Sequence, residues 1–214
     1  MNESTARALD ALQRAHRACT RCVDAGLLPS AHPVFSGGPR QRILLVGQAP
    51  GRVEVDESRP FAGRAGRQLM RWFQRGGFAG DQDVRRRVYM TAMTTCFPGR
   101  TADGTGDRRP SAREVALCSP WLDQVLELLR PRLVIPVGTL ALGRFLPGRA
   151  LDEVVGMVFD RFGADPGNAP KPPLYLPWPH PSGQSRWLNQ PARSARLERS
   201  LQLLPGLVDW AESG

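Results

Sequence analysis

The chain has 214 residues and 23.5 kDa, enough for one domain with a sizeable buried core and too short for a multidomain reading. Hydrophobic residues make up 41% and charged residues 23%, a globular balance, and no uncharged apolar run approaches the roughly 18 residues of a membrane span, which excludes transmembrane anchoring. Lys+Arg number 29 against 20 Asp+Glu, a formal charge of +9 carried almost wholly by arginine, since Lys171 is the only lysine. Such an excess favours a polyanionic partner, because cations set against phosphates release condensed counterions and guanidinium matches phosphate oxygens two at a time. An arginine bias that follows genome base composition would give the same count.

The start, MNESTARALD, is polar and acidic, with neither a basic n-region nor an apolar h-region, so the expected compartment is the cytoplasm. Residues 4–18 read as a helix with Leu9, Leu12 and Ala15 on one face and arginines on the other, which puts His16 on the polar side. A Pro/Gly-rich connector from Pro29 leads to RILLVG, residues 42–47, a continuous apolar run ending in glycine that predicts a buried parallel strand. After QAPG and an irregular acidic stretch, helical periodicity resumes over 66–74 through Leu69, Trp72 and Phe73. Residues 87–94, RVYMTAMT, predict a second strand. A polar loop then reaches Ser111-Ala-Arg-Glu114, a capping box opening a helix that carries Cys118, Leu122, Val125 and Leu129.

A third strand is expected over 133–138, a short helix over 140–145, a weaker strand over 154–159, a last strand over 174–178, and a closing helix from Pro191 to about Trp210. Strands alternating with helices predict an α/β fold, a three-layer α/β/α sandwich with a central four-stranded mostly parallel sheet, in a single domain spanning 1–214. In such sheets the chemistry lies at the carboxyl ends of the strands. Three unusual loops fall there: GQAPG after the first strand, TAMTTC after the second and PWPHPSGQS after the last.

Cys19 and Cys22 form C-T-R-C, a spacing at which one tight loop offers two thiolates to a single centre, while Cys96 and Cys118 flank the polar loop. In a reducing compartment four cysteines point to tetrahedral zinc, an iron-sulfur cluster, or a redox pair with two buried thiols, and spacing alone leaves these open. Gly47 to Gly51 supplies glycines and backbone amides in a tight turn suited to a planar ligand or an anion, without the lysine of a P-loop or the spacing of a dinucleotide fingerprint. Glu54 follows, then RPFAGRAG, in which Phe61 could offer its face to a base. His180 stands in a loop after a strand, a functional position for a histidine, with Ser182, Gly183, Ser185 and Arg186 as phosphate donors beside it. Trp187 reads as a core residue.

Taken together, GQAPGRVEVDESRPFAGRAGRQL, the four cysteines and HPS resemble the family 4, iron-sulfur uracil-DNA glycosylases, from about Cys19 to Leu204. The resemblance implies a [4Fe-4S] cluster on Cys19, Cys22, Cys96 and Cys118 with a structural role. It implies a hydrolase for base excision repair that extrudes uracil from single-stranded or mispaired DNA, stacks it on Phe61 and leaves an abasic site. His180 would donate to the uracil oxygen where negative charge grows. Gly47, Gln48 and Ala49 would bind the base edge and the water, Glu54 would support the loop or the developing cation, and Ser182, Gly183 and Arg186 would grip phosphates. The enzyme is expected to act as a monomer away from membranes.

Three departures bear on these roles. Gln48 replaces the family's glutamate; other branches of the superfamily also have glutamine there, followed by a catalytic aspartate where this chain has Ala49. Ala92 stands where the family's asparagine reads the uracil amide edge, so hypoxanthine, xanthine and other deaminated bases become candidate substrates. The loop between Cys96 and Cys118 is longer than in the family, an extension that costs little closure entropy. The competing reading is a noncatalytic iron-sulfur DNA-binding protein that retains the pocket; a small redox or zinc protein leaves RPFAGRAG and HPS unexplained.

Overall fold

The computed structural model describes residues 3–160, 163–164, 171–183 and 186–213. In chain order these form α1 (Glu3–Arg17), α2 (Arg21–Asp24), β1 (Ile43–Gly47), α3 (Arg52–Asp56), α4 (Arg64–Arg75), α5 (Asp81–Arg87) and β2 (Val88–Ala92). Then follow α6 (Ala112–Leu129), β3 (Leu133–Pro136), α7 (Gly138–Phe145), α8 (Leu151–Val154), β4 (Phe159–Asp160), β5 (Gly163–Ala164), β6 (Leu174–Tyr175), a 3-10 turn (Arg186–Asn189) and α9 (Pro191–Glu212).

Every residue of β1, β2 and β3 is buried, as continuous apolar runs demand when helices cover both faces of a sheet. Alternation along β1 divides the core in two. Ile43 and Leu45 pack with Leu69, Trp72 and Phe73 of α4 and with Leu197, Leu201 and Leu204 of α9. Leu44 and Val46 pack on the opposite face with Leu9 and Leu12 of α1 and Trp121, Leu122 and Val125 of α6. These are the three layers expected.

The sheet order is β2-β1-β3-β6-β4-β5. The first four strands are parallel, and β4 and β5 extend the edge as an antiparallel ribbon, so the sheet exceeds the four strands expected. The strand anticipated over 154–159 is reduced to Phe159–Asp160: α8 takes Leu151–Val154, and Gly156 at φ +88° turns the chain between them. The last strand is also shorter than expected, although Trp178 still bridges Val137 in parallel fashion. The capping box forms as expected, with the Glu114 amide donating to Ser111 Oγ at 3.2 Å and the Ser111 amide donating to Glu114 Oε2 at 2.7 Å. No helix among the described residues is long and apolar enough to cross a membrane.

The route of the chain fixes where a ligand can enter. From β1 it crosses to β2 through α4 on one face, and from β2 to β3 through α6 on the other. The order therefore reverses between β1 and β3, and the crevice beyond their carboxyl ends is the site such sheets offer.

Candidate active site

Both aromatic groups singled out in the sequence lie at that crevice. Gly47 closes β1, and an ideal Cβ there would sit 2.9 Å from Phe61 Cζ, so the absence of a side chain lets the ring cover the strand end. His180 follows Trp178 by two residues and lies over Gly138, where an ideal Cβ would be 3.4 Å from His180 Cβ. Gly138 opens α7 at φ +81°, a left-handed conformation that glycine adopts without strain. Since β1 and β3 are hydrogen-bonded neighbours in parallel register, with Val46 beside Pro136, the two rings stand over adjacent strand ends.

Phe61 itself is held at φ +54°, an uncommon conformation for a residue with a side chain and one that costs about 1–3 kcal/mol. The turn is overdetermined by its surroundings. Gly66 lies directly beneath, and a Cβ there would overlap the Phe61 carbonyl. The Glu54 carboxylate then ties the two loops together, with Oε2 accepting from the Gly51 amide at 3.0 Å and Oε1 from the Gly63 amide at 2.8 Å. Both oxygens are thereby engaged in holding backbone, which makes Glu54 a positioning residue for the Gly47–Gly51 loop and the Phe61 turn. Within that first loop the Gly47 and Gln48 carbonyls accept from the Met93 and Thr94 amides at 3.0 and 3.2 Å. Gln48 and Ala49 are half-buried.

His180 Nδ1 receives the Ser182 amide at 3.2 Å and lies 2.9 Å from Ser182 Oγ. An N–H can only donate, so Nδ1 is the acceptor and the proton of the neutral ring belongs on Nε2. Burial also holds the imidazole below its ordinary pKa. The structure thus places a neutral imidazole with Nε2–H as its remaining donor. Ser182 turns toward this ring, whereas the sequence reading gave it to phosphate. Gly183 is exposed; Ser185 and the side chain of Arg186 lie outside the described residues. Trp187 is 9% exposed, as expected of a core residue.

Ala92 ends β2 directly beside Gly47 and is buried. Its methyl group offers no hydrogen bond to a base seated over Gly47. One carboxylate near this end of the sheet escaped the sequence reading: the extended loop after Cys96 folds back, bridging Arg100 to Asp107, and an ideal Cβ on Gly51 would lie 2.8 Å from Asp107 Oδ2. Burial raises the Asp107 pKa, with Arg100 opposing and Glu54 adding to the rise. An acidic residue inside the polar loop was the only signal available.

The four cysteines, scattered in sequence, line one cavity between the α1–α2 turn, the end of β2 and α6. Each is half-buried. Burial, with the neighbouring sulfurs adding to it, raises the thiol pKa of Cys22, Cys96 and Cys118, that of Cys96 to about 12. Gathered thiolates thus want a cationic centre. Among the described residues no three His, Cys, Asp or Glu side chains converge tightly enough to hold one metal ion, whereas a tetrahedral ion with bonds of about 2.3 Å would draw its thiolates nearly into contact. Thr94 Oγ1, buried and without a hydrogen-bond partner, also lines the cavity. Trp121 Nε1 donates to Cys19 Sγ at 3.2 Å, and Thr95 Oγ1 lies 3.6 Å from Cys118 Sγ.

His16 joins this surround and corrects the sequence reading. It is buried, not on a polar face, stacked between Phe35 and Trp121 at 4.5 and 4.6 Å, with Nε2 2.8 Å from Thr95 Oγ1. Arg17 and Arg21 cover the outer faces of those two rings. The signal was present, since His16 follows Leu9 by seven residues and Leu12 by four, continuing their buried stripe.

The chain is 31% identical over 156 residues to a type-4 uracil-DNA glycosylase of Pyrobaculum aerophilum, covering 71% of this chain and 70% of that protein. It is 33% identical over 103 residues to one of Sulfurisphaera tokodaii, covering 48% and 42%, and 30% identical over 132 residues to one of Thermotoga maritima, covering 61% and 63%. The chain thus spans between about two fifths and seven tenths of the length of these relatives. The profile of the uracil DNA glycosylase superfamily matches residues 34–204, a stretch that contains both strand ends of the crevice, and on that match the chain belongs to this superfamily.

Proposed function

We propose that this protein is a uracil-DNA glycosylase that hydrolyses the N-glycosidic bond of uracil in DNA and leaves an abasic site, opening base excision repair. The observation that carries the reading is the placement of Phe61 over Gly47 and of His180 over Gly138, beyond the ends of the neighbouring strands β1 and β3 at the switch point of the sheet. A base inside a duplex must be extruded before its glycosidic bond is reachable, at a cost of a few kcal/mol that is smallest in single strands or at mispairs. Phe61 stacks on the extruded base. Cleavage leaves negative charge on the base oxygen, and Nε2–H of a neutral His180 donates there without carrying a charge that water would have to solvate. The Gly47, Gln48 and Ala49 backbone holds the base edge and the attacking water. Glu54 and Ser182 keep Phe61 and His180 in place, and Gly183 and Arg186 meet the flanking phosphates. Ala92 leaves the amide edge unread, so related deaminated bases such as hypoxanthine and xanthine are accepted with uracil.

Cys19, Cys22, Cys96 and Cys118 line one cavity whose wall also carries the unpartnered Thr94 Oγ1, and together with the resemblance to the iron-sulfur glycosylases this supports a [4Fe-4S] cluster over zinc. When bound, such a group supplies the positive charge that lets four sulfurs stay deprotonated together. The cysteines then fasten the α1–α2 turn and α6 to the end of β2. Residues 1–214 are read as one domain, monomeric and cytoplasmic.

The test is direct. Purified protein is incubated with uracil-containing single-stranded and duplex oligonucleotides, followed by alkali. Strand breaks at the uracil position are expected, and His180→Ala should lower excision at least about a hundredfold while retaining DNA affinity. Tight binding without abasic product would replace the glycosylase with a noncatalytic iron-sulfur DNA-binding protein, the reading that Gln48 and Ala92 favour. A brown preparation containing iron is expected, and a colourless, zinc-loaded one would overturn the cluster.

A further inference from the structure

Beside Phe61 opens a groove of about 390 Å3 that none of the roles above uses. Its volume falls in the range of roughly 300–1,000 Å3 typical of clefts that take small molecules. Phe61, Ala62 and Met70 give it an apolar lining, and four guanidinium groups against one carboxylate, Asp81, give it its charge. Two of the four arginines are already committed. Arg85 Nε donates to both Asp81 oxygens at 2.9 and 3.0 Å and its Nη1 to the Pro60 carbonyl at 3.0 Å, and Arg59 pairs with Glu57 at 2.7 Å.

Arg67 and Arg71 are different. Both are exposed and neither makes an ion pair among the described residues. They stand four residues apart on α4, where like charges repel across one turn of the helix. An arrangement that its own electrostatics oppose is relieved by an anion between or above the two groups. Apolar surface next to paired guanidiniums matches a nucleotide, whose base or sugar meets the lining while its phosphate meets the cations. Phe61 belongs to both this groove and the crevice, so an occupant of the groove is the immediate neighbour of whatever stacks on Phe61.

We propose that the groove binds the single-stranded DNA segment on one side of the extruded base, with Arg67 and Arg71 each neutralising a backbone phosphate; the identity of the neighbouring base rests on the glycosylase reading, the groove's charge and shape do not. Only an unpaired strand can turn base faces toward Met70 and Ala62, so single strands are bound in preference to duplex.

Binding of a uracil-free single-stranded oligonucleotide, followed by fluorescence anisotropy across a salt series, separates the two readings. Each phosphate contact contributes about 0.7 to the slope of log K against log salt for single strands. The double variant Arg67→Ala/Arg71→Ala should therefore flatten that slope by about 1.4 and weaken binding at least about tenfold at low salt. Arg67→Lys/Arg71→Lys should keep the slope. Arg149→Ala, an exposed arginine beyond the far end of α7, should change neither.

On uracil substrates the wild type should prefer strand extension on one side of the uracil, and the double alanine variant should lose that asymmetry. Both substituted side chains are exposed, and an unchanged melting curve confirms that the fold is kept. A slope within 0.5 of wild type with affinity within twofold would overturn the proposal, as would an equal loss on duplex and single strands. If the wild type never excises uracil yet the slope responds, the glycosylase reading fails and the groove stands; if it excises and the slope is unmoved, the groove alone fails.

Discussion

Substituting Glu54 by glutamine isolates the tether that holds Phe61. Each carboxylate oxygen serves one backbone amide, Gly51 at 3.0 Å and Gly63 at 2.8 Å. Glutamine keeps the length and one acceptor but turns an NH2 group toward the other amide, replacing a hydrogen bond with two opposed donors. A hydrogen bond to a charged acceptor contributes about 1.5–3 kcal/mol, and halving this for a half-buried carboxylate leaves about 1 kcal/mol per amide. Glu54→Gln should thus cost about 1–2 kcal/mol and Glu54→Ala about 2 kcal/mol, a fall in Tm of about 2–8 °C for a chain of this size. Gly63 caps α4 only two residues after Phe61, so the ring should also lose its fixed height over Gly47 and single-turnover excision should slow. Thermal melting and single-turnover kinetics on one preparation check both effects. A glutamine variant that melts within 1 °C of wild type and excises at the same rate refutes the tether. Unchanged melting with a hundredfold slower excision would instead put Glu54 in the chemistry.

Gly66→Ala should destabilise by about 1–3 kcal/mol and abolish Phe61 stacking, because its Cβ would overlap the Phe61 backbone, whereas Gly143→Ala in α7, with open space around it, should be neutral or stabilising by denaturant titration. The His16 pKa falls from 6.5 to about 4, with burial first and then Arg17 and Arg21 as causes. The unfolded chain therefore binds the extra proton between these values, and stability is complete above about pH 6.5 and declines by up to about 3 kcal/mol as pH falls toward 4. His16→Phe should flatten that decline in pH-dependent unfolding; an unaltered acid limb would refute it.

Apolar runs and terminators made the layers legible. RILLVG and LVIP read as buried strands from their short apolar runs and terminating residues, and Ser111 with Glu114 announced α6 because a capping box is a local device. What escaped had no apolar period to read. In α5, DQDVRRR, only Val84 is buried, and the segment is held by ion pairs: Arg85 with Asp81 one turn away, and Arg87 with Glu212, which lies 125 residues on and is invisible to a window. The edge ribbon β4–β5 is two residues per strand, too short for a pattern. At the site, the glycines and aromatic residues were visible, but their partners were not. The grip of Glu54 on Gly63, the proton assignment that Ser182 imposes on His180 and the approach of Asp107 to Gly51 all arise between segments that meet only after folding.

Ala92 lies at the floor of the crevice and Cys96 on the wall of the sulfur-lined cavity, so four peptide steps link the place where a base would rest to the place where a metal centre would be anchored. The intervening Met93, Thr94 and Thr95 are all buried, and the Met93 and Thr94 amides are spent on the Gly47 and Gln48 carbonyls. The span therefore has no slack. Insertion or deletion within it cannot be absorbed by one end alone, and evolution or engineering can reshape the floor only through side-chain identity, never through loop length.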